Sequence, residues 1–391
     1  MVTNNALEDK MGGLERYVRE LSSALAGRGH DVTIIAKRWR ADAPARVVCA
    51  DGVAIERHPV PSKRNPLYAP AYPFYVYAGV GRRTRRAVRG DSDTVIHAHM
   101  LLPALPLAVR RQRFLLTFHA PVWRELLRER QDSYLLPERV QSLAVAALKR
   151  TEGFVASRAT GAVVLSDFMR RELADLNPSA GARATVVPGG IDSSRFHVDD
   201  RVPRDVEPHA PVLFAARRFT PRTGVDELVR AMAVIVQAYP GAQLKLAGTG
   251  PMEAELVTLT QTLGLTESIE FLGVVSDEEL VAWYRRATLV VLPTRELEGF
   301  GLTTAEALAC GAVVVGTPAG ATPELLSAID PQLVASGTSA AAIAATVLDL
   351  LRAPERLREL RSKAARRVLP EMGWDRIADR YLELYASLQR A

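Results

Sequence analysis

The chain has 391 residues, of which 48% are hydrophobic and 24% are charged, as in an ordinary soluble globular protein. This length is too great for a single core, so two domains are expected. The formal net charge of +6 is mild; it suits a phosphate-bearing ligand and gives no reason to expect nucleic-acid binding. Cys49 and Cys310 lie far apart and form no metal or redox motif, which favours a reducing cytoplasm. No apolar stretch reaches the length of a membrane span, and the polar start is unlike a signal peptide.

The first predicted elements are a loop, an amphipathic helix and a strand. Gly12 and Gly13 precede a helix with apolar residues on one face, and residues 32–36 form an apolar strand. A glycine pair alone most simply marks a turn. Prolines between residues 59 and 73 then predict an irregular loop that contains Tyr72. Such a loop lines an acceptor site or, equally well, is a surface excursion whose tyrosines pack locally.

An arginine-rich segment without an acidic residue follows this loop. It contains Arg82, Arg83, Arg85, Arg86 and Arg89. A solvated helix face explains these charges most simply. The alternative is a basic surface that docks on an anionic membrane, which would make the protein peripheral at the inner membrane face.

Two apolar strands end in histidines. Residues 94–99 end at His99, and residues 114–119 end at His119. Ligands of open α/β sheets gather at the carboxyl ends of the strands. A histidine at a strand end is usually structural and neutral, so a ligand role and a structural role both remain open. Farther along, a charged and proline-rich stretch at residues 196–211 predicts the linker between two domains.

The second half repeats the alternation of strands and helices, which predicts another parallel sheet. It opens with a strand at residues 212–216, followed by a segment that contains Arg218, Arg222 and Thr223. A later strand runs into the turn Gly248-Thr-Gly250. That turn is not specific by itself, because any strand-to-helix turn can carry glycines.

Two carboxylates, Glu298 and Glu306, flank a glycine loop and a helix start. The loop and the first helical residues are Gly299, Phe300, Gly301, Leu302 and Thr303. The free backbone N–H groups of such a helix start bind anions, and the glycines let a ligand approach the chain closely. A phosphate-bearing substrate is the expected occupant. The alternative is that the two glutamates only cap the helix.

Residues 298–318 and 323–324 closely resemble the donor-site signature of the retaining glycosyltransferases of family four, which have the GT-B fold. The resemblance extends over nearly the whole chain. It implies an α/β protein with two Rossmann-like, doubly wound parallel-sheet domains that face a cleft. The acceptor-binding domain would span residues 1–198 and the donor-binding domain residues 199–370. The segment 371–391 would form a helix that packs back on the first domain.

The resemblance also implies roles for single residues. Glu298 would lie near the donor sugar, Glu306 would bind the ribose hydroxyls, and His119 would reach the donor sugar on its phosphate side. In the family an arginine and a lysine clamp the donor diphosphate. Arg218 matches the arginine, but Thr223 stands at the lysine position, and neighbouring Arg222 would then supply the second charge.

The predicted site therefore has three parts. The catalytic residues are His119, Glu298 and Arg218. The donor-binding residues are Gly12, Gly13, Arg218, Arg222, Gly248, Gly250, Gly299, Phe300, Gly301, Leu302, Thr303 and Glu306. On the acceptor side we expect His99 and Tyr72, and no metal ligand is predicted.

The implied activity is transfer of a sugar, with retention of configuration, from a UDP- or GDP-sugar to a hydroxyl group of a cell-envelope precursor or small natural product. The donor is a substrate, and no tightly bound cofactor is expected. Because no Asp-x-Asp metal motif is evident, arginines and the helix start would offset the leaving-group charge. Front-face attack, in which the leaving phosphate accepts the acceptor proton, ranks above a covalent intermediate on Glu298.

Two rival functions remain open. A phosphorylase-like use of the same fold would need a lysine for pyridoxal phosphate, and no segment is persuasive for one. A nucleotide-sugar-binding protein without turnover would result if Thr223 or an incomplete first strand abolished catalysis. Only residues 1–4 stand where the family has that strand, so either the native start lies upstream or the strand is unusually short.

Overall fold

The computed structural model describes residues 1–7, 12–38, 42–61, 68–90, 93–124, 138–199 and 209–390. The chain forms two compact units. Unit 1 consists of Met1–Gly190 and Trp374–Ala391, and unit 2 of Ile191–Gly373. The predicted α/β class, with a mainly parallel sheet in each half of the chain, is confirmed.

The first part of unit 1 alternates helices and strands. In chain order these are α1 (Gly13–Ala26), β1 (Thr33–Arg38), β2 (Arg46–Val48), β3 (Ala54–Pro59), α2 (Tyr68–Gly90), β4 (His97–Ala98), α3 (Leu101–Val109), β5 (Leu115–Phe118), α4 (Glu138–Arg158), β6 (Gly161–Val164), α5 (Asp167–Leu176), α6 (Pro178–Ala182) and β7 (Ala184–Val186).

The sheet of unit 1 is held together at its centre by the first residues of the chain. Strands β4, β5, β6 and β7 pair in parallel, and β1 pairs with β3, which carries antiparallel β2. Val2 lies between these groups and bridges Ile35 of β1 and Ala98 of β4. Its N–H donates to the carbonyl of His97 at 2.7 Å, and its carbonyl accepts from the N–H of His99 at 2.9 Å. Residues 1–3 therefore act as a short parallel strand within one continuous sheet.

Helix α2 corrects one sequence-based expectation. The prolines at residues 59–73 predicted an irregular loop, but the chain is already helical from Tyr68 onward. Pro70 is the third residue of α2, where a missing N–H removes no intrahelical hydrogen bond, and Pro73, the sixth, is also part of the helix. Residues 62–67 lie outside the described part of the chain.

Unit 2 contains the remaining strands and most of the remaining helices. They are β8 (Val212–Ala216), a 3₁₀ turn (Pro221–Thr223), α7 (Val225–Ala238), β9 (Gln243–Ala247), α8 (Glu253–Thr262), β10 (Ile269–Gly273), α9 (Asp277–Arg286), β11 (Leu289–Leu292), α10 (Leu302–Ala309), β12 (Val314–Gly316), α11 (Thr322–Leu326), a second 3₁₀ turn (Pro331–Leu333), α12 (Ala340–Leu351) and α13 (Pro354–Met372).

The sheet of unit 2 is parallel throughout, with strand order β10-β9-β8-β11-β12. Its strands are short apolar runs, and all four residues of β11 are buried. Because such strands are buried on both faces, helices must cover the sheet on both sides, and helices α7 to α13 do so. The carboxyl ends of β8, β9 and β11 share one edge of the sheet, and the loops that follow them carry the predicted donor residues.

The final helix, α14 (Trp374–Arg390), belongs to unit 1 and packs against α1. Its buried face consists of Ile377, Ala378 and Tyr381. Unit 1 is thus built from two stretches of chain that are separated by the whole of unit 2.

A cavity of about 860 Å³ lies at the amino ends of the unit 1 strands. Thr33, Glu56, Arg83, Ile96 and His97 are among its lining residues. Ligands of open α/β sheets bind at the opposite edge, beyond the carboxyl ends of the strands, so this cavity is separate from the candidate site.

Candidate active site

The loop after β11 places two glutamates around a helix start in unit 2. Gly301 precedes α10 in the left-handed conformation, with φ of 85°, and contributes no side-chain cap. The first backbone N–H groups of α10 therefore have no capping side chain, and they form the positive end of the helix dipole. Glu306 lies in the second turn of α10 and is 8% exposed.

Glu298 is held from two directions. Its backbone carbonyl accepts a hydrogen bond from the N–H of Ala321 at 2.8 Å. A Cβ atom on neighbouring Gly320 would lie 2.4 Å from that carbonyl oxygen, so only glycine fits there. On the other side, the Glu298 carboxylate forms an ion pair with Arg217, with 2.7 Å between Oε2 and Nη2.

Arg217 is a residue of the candidate site that the sequence did not single out. It follows β8 directly, its side chain is 9% exposed, and its Nη2 also donates to the Thr294 hydroxyl at 2.8 Å. The sequence contained a signal, since a cation at the end of a buried strand needs a carboxylate partner nearby. The family pattern pointed instead to Arg218, which is exposed in the structure.

The residue at the family's lysine position faces inward. Thr223 is 2% exposed, and its hydroxyl lies 2.7 Å from the carbonyl oxygens of both Arg218 and Thr220. The side chain therefore closes the turn after β8 and does not face a ligand. Arg222, the next residue toward the amino end, is half-buried.

The predicted glycine turn after β9 is required by packing. A Cβ atom on Gly248 would lie 1.9 Å from the carbonyl oxygen of Arg217, and one on Gly250 would lie 2.3 Å from that of Phe219. The two loops after β8 and β9 thus touch through their backbones. This contact explains both glycines without a ligand.

In unit 1 the two predicted histidines meet at the carboxyl ends of β4 and β5. Nδ1 of His99 lies 3.3 Å from Nε2 of His119, and the ring of Tyr17 stands edge-on to His119 with centroids 5.0 Å apart. Burial lowers the pKa of His119 to about 3 and holds the pKa of His99 well below its usual range. Both imidazoles are therefore neutral near pH 7, and they exchange hydrogen bonds without carrying charge.

Behind these histidines runs a buried chain of hydrogen bonds that the sequence did not reveal. Nδ1 of His97 lies 2.7 Å from the Tyr385 hydroxyl, and its Nε2 lies 2.7 Å from Oγ1 of Thr117. The Thr117 hydroxyl is 3.0 Å from the Tyr381 hydroxyl, which is 2.8 Å from that of Tyr17. The chain connects α14 to α1 through the strand ends.

The remaining predicted residues of unit 1 lie near the same edge. The Tyr72 hydroxyl donates to Oδ1 of Asn4 at 3.1 Å, and Nζ of Lys37 lies 3.5 Å from the same hydroxyl. Gly12 precedes α1 in an extended conformation, and Gly13 is the first residue of that helix.

The predicted arginine-rich segment forms part of α2. The residues that face solvent are Arg82, Arg85, Arg86 and Arg89. Arg83 turns inward and donates to the backbone carbonyl of Arg57 at 2.9 Å. Among the described residues, no helix is both long enough and apolar enough to cross a membrane. In the same part of the chain, no cluster of three or more His, Cys, Asp or Glu side chains is arranged to hold a metal ion.

Comparison with known proteins places this geometry in context. The family model described as Glycosyltransferase Family 4 matches residues 11–195, and the one described as Glycosyl transferases group 1 matches residues 199–367. A curated relative is the GDP-mannose-dependent alpha-(1-6)-phosphatidylinositol monomannoside mannosyltransferase of Mycobacterium tuberculosis (strain ATCC 25618 / H37Rv). It is 26% identical, covering 97% of this chain and 95% of the relative.

Two solved structures share the fold. Sucrose-phosphate synthase from Thermosynechococcus elongatus has a TM-score of 0.76 at 24% identity, covering 96% of this chain and 94% of the other. Anabaena Alr3699/HepE in complex with UDP-glucose has a TM-score of 0.73 at 17% identity, covering 99% and 98%.

Proposed function

The chain belongs to the family-four glycosyltransferases with the GT-B fold, and on this basis we propose that it transfers a sugar from a nucleotide diphosphate sugar to a hydroxyl acceptor with retention of configuration. The loop after β11 is the observation that supports this proposal most directly. It sets Glu298 and Glu306 on either side of a helix start whose N–H groups have no capping side chain. Such a start suits a phosphate, and the buried carboxylate of Glu306 suits the two hydroxyls of a ribose.

The leaving diphosphate carries the charge that this site must stabilise. We assign this task to Arg218 and Arg222, which lie on the segment after β8, and to the first N–H groups of α10. Together they supply positive charge where negative charge develops, so the proposed transfer is metal-independent. Because Thr223 is buried and hydrogen-bonded within its turn, Arg222 takes the role of the family's lysine.

The proposed attack is front-face, with the leaving phosphate oxygen accepting the proton of the acceptor hydroxyl. Glu298 accepts a hydrogen bond from the transferred sugar. A covalent intermediate on Glu298 ranks below this role, because the ion pair with Arg217 stabilises the carboxylate and makes it a weaker nucleophile. In unit 1, neutral His119 exchanges a hydrogen bond with a substrate hydroxyl, and His99 with Tyr72 lies on the acceptor side.

The donor is a UDP- or GDP-sugar, and the acceptor is a cell-envelope precursor or a small natural product. One relative is named as GDP-mannose-dependent, and the HepE structure contains UDP-glucose. The acceptor of the mannosyltransferase is a phosphatidylinositol monomannoside. An acceptor of that kind would bring the protein to the inner membrane face, where the exposed arginines of α2 would meet anionic lipid.

Glu306→Gln provides the first test. The amide keeps the shape of the side chain but removes the charge that strengthens its bonds to ribose hydroxyls. We expect the dissociation constant of UDP or GDP, measured by isothermal titration calorimetry, to rise about 10- to 100-fold. Glu270→Gln is the control, because Glu270 on β10 pairs with Lys245 on β9, and this variant should bind nucleotide like the wild type.

Donor binding and turnover must be separated. The wild type is incubated with UDP- and GDP-sugars and candidate acceptors, and NMR reads the anomeric configuration of the product. A product of inverted configuration would contradict the proposed mechanism. Tight binding without transfer or donor hydrolysis would instead favour the rival, a nucleotide-sugar-binding protein. If no nucleotide diphosphate binds the wild type, the donor site is wrongly assigned.

A further inference from the structure

We propose that Arg217 is a positioning residue that acts through Glu298 and sets how strictly the enzyme distinguishes donor sugars that differ in one hydroxyl. This inference rests on the proposed function, because it concerns the same donor site. The Arg217 side chain, the Glu298 carboxylate and the Thr294 hydroxyl are its physical basis, and all three belong to unit 2.

The backbone of Arg217 is fixed. Its N–H donates to the carbonyl of Ala247 at 2.9 Å, which extends the pairing of β8 with β9 by one residue. Its own carbonyl is packed against Gly248, where no larger residue fits. The guanidinium therefore starts from a rigid point at the carboxyl edge of the sheet.

The guanidinium is oriented by two acceptors from the loop after β11. One nitrogen, Nη2, donates to Thr294 at 2.8 Å and to Glu298 at 2.7 Å. Thr294 is 1% exposed, and its backbone carbonyl accepts from the Thr317 hydroxyl, so this acceptor cannot move away. Thr294 thus prevents Arg217 from following Glu298 if the carboxylate turns.

Glu298 has only its side-chain torsions left to fix. Its backbone is seated against Gly320 and Ala321, and the preceding residue, Leu297, has a φ of 54°, a conformation rare for a residue with a side chain. Arg217 removes the remaining freedom by binding Oε2. Within the described residues, the hydrogen bonds and ion pair of the carboxylate all involve Oε2. Oε1 is thereby held in one orientation, in which it can accept a hydrogen bond from a sugar hydroxyl.

A carboxylate oxygen held in one orientation can distinguish the two configurations of a hydroxyl. The hydroxyl of one epimer reaches Oε1, whereas that of the other epimer does not. With the second epimer, Oε1 is left without a hydrogen bond. A carboxylate free to rotate would follow either hydroxyl. Loss of Arg217 should therefore change the discrimination between donor sugars and leave the affinity for the nucleotide unchanged.

The test compares Arg217→Gln and Arg217→Lys with the wild type. The donors are the epimeric pairs UDP-glucose and UDP-galactose, and GDP-glucose and GDP-mannose. For Arg217→Gln we expect kcat with the preferred donor to fall about 10- to 100-fold, as when a reacting group is misplaced. The preference between epimers should shrink at least about tenfold, with the Kd for UDP or GDP unchanged. Arg217→Lys should recover part of both, because an ammonium keeps the charge but lacks the rigid, planar geometry of the guanidinium.

Two controls distinguish positioning from loss of structure. Arg285→Gln removes another half-buried arginine of unit 2, which pairs with Asp199, and it should leave both kcat and epimer preference unchanged. In a double-mutant cycle, Arg217→Gln added to Glu298→Gln should lower kcat no further, because Arg217 acts through Glu298. If the losses in kcat of the two single variants add in the double variant, the inference is wrong. It is also wrong if Arg217→Gln keeps the kcat and the epimer preference of the wild type. Failure of the wild type to bind any nucleotide would instead overturn the proposed function, and this inference with it.

Discussion

At the scale of single residues, the site is decided by which of several neighbouring polar side chains turns inward. Arg217 is half-buried, with its side chain directed to Glu298, whereas the adjacent Arg218 is exposed. Thr223 is buried at a position where the family has a lysine. These orientations follow from the end of β8 and the turn after it, and they determine which charges are available to a ligand.

Thr223→Lys tests the orientation at that position. A lysine placed there loses the hydrogen bonds that the Thr223 hydroxyl makes within its turn, and it must extend a charged group out of a buried site. We expect the free energy of unfolding, measured in urea, to fall by about 1–3 kcal/mol, with no gain in affinity for UDP or GDP. Thr258→Lys, on the exposed face of α8, should change stability little. Tighter nucleotide binding by Thr223→Lys would show that the position does face the ligand.

At the scale of elements, α14 is joined to the strand ends of unit 1 by hydroxyl groups. Tyr381 stands at the middle of this connection, between Tyr17 and Thr117, and is 0% exposed. Burial raises its pKa to about 12, so the hydroxyl remains a neutral donor and acceptor at all ordinary pH values. The helix is therefore held by specific polar contacts as well as by its apolar face.

Tyr381→Phe should weaken this attachment. The change removes one hydroxyl and leaves those of Tyr17 and Thr117 without their shared partner in a buried setting. The expected loss in the free energy of unfolding is about 1–2 kcal/mol, measured in urea. Tyr239→Phe, at the end of α7 in unit 2, is the control and should be nearly neutral. Equal stability of the two variants would mean that the hydroxyl chain contributes nothing to the docking of α14.

The sequence predicted the elements well and their polar contacts poorly, for a physical reason. Strands such as β8 and β11 and the helix start at Leu302 are encoded by local patterns of apolar residues, glycine and proline. The resemblance predicted that the last helix packs back on the first domain, and Tyr381 lies on its buried face. The partner of its hydroxyl is 364 residues away in sequence, at Tyr17, and no local pattern carries that information. Likewise, the pairing of Arg217 with Glu298 depends on the order of β8 and β11 in the sheet.

At the scale of the whole molecule, burial of neutral histidines makes stability depend on pH. Burial lowers the pKa of His58 to about 4 and that of His119 to about 3, and it holds those of His97 and His99 well below the usual range. In the unfolded chain these groups titrate near pH 6.5. Below that pH the unfolded state binds more protons than the folded state, so stability falls.

We therefore expect the urea midpoint to decrease steadily from pH 6.5 to pH 4.5. A histidine that stays neutral in the folded state contributes at most about 1.4 kcal/mol per pH unit. His58→Gln should flatten the decrease, because it removes one such group, whereas His30→Gln, at an exposed position, should not. A midpoint that is constant over this range would contradict burial of neutral imidazoles.

The division of unit 1 into two stretches of chain also fixes the order in which the protein can fold during synthesis. Residues 1–190 emerge from the ribosome first, yet they lack α14 until all of unit 2 has been translated, a delay on the order of tens of seconds. During that time the surface that later receives Ile377 and Tyr381 is open to water and to other nascent chains. Unit 2, which is continuous in sequence, is the first of the two to have all of its residues available.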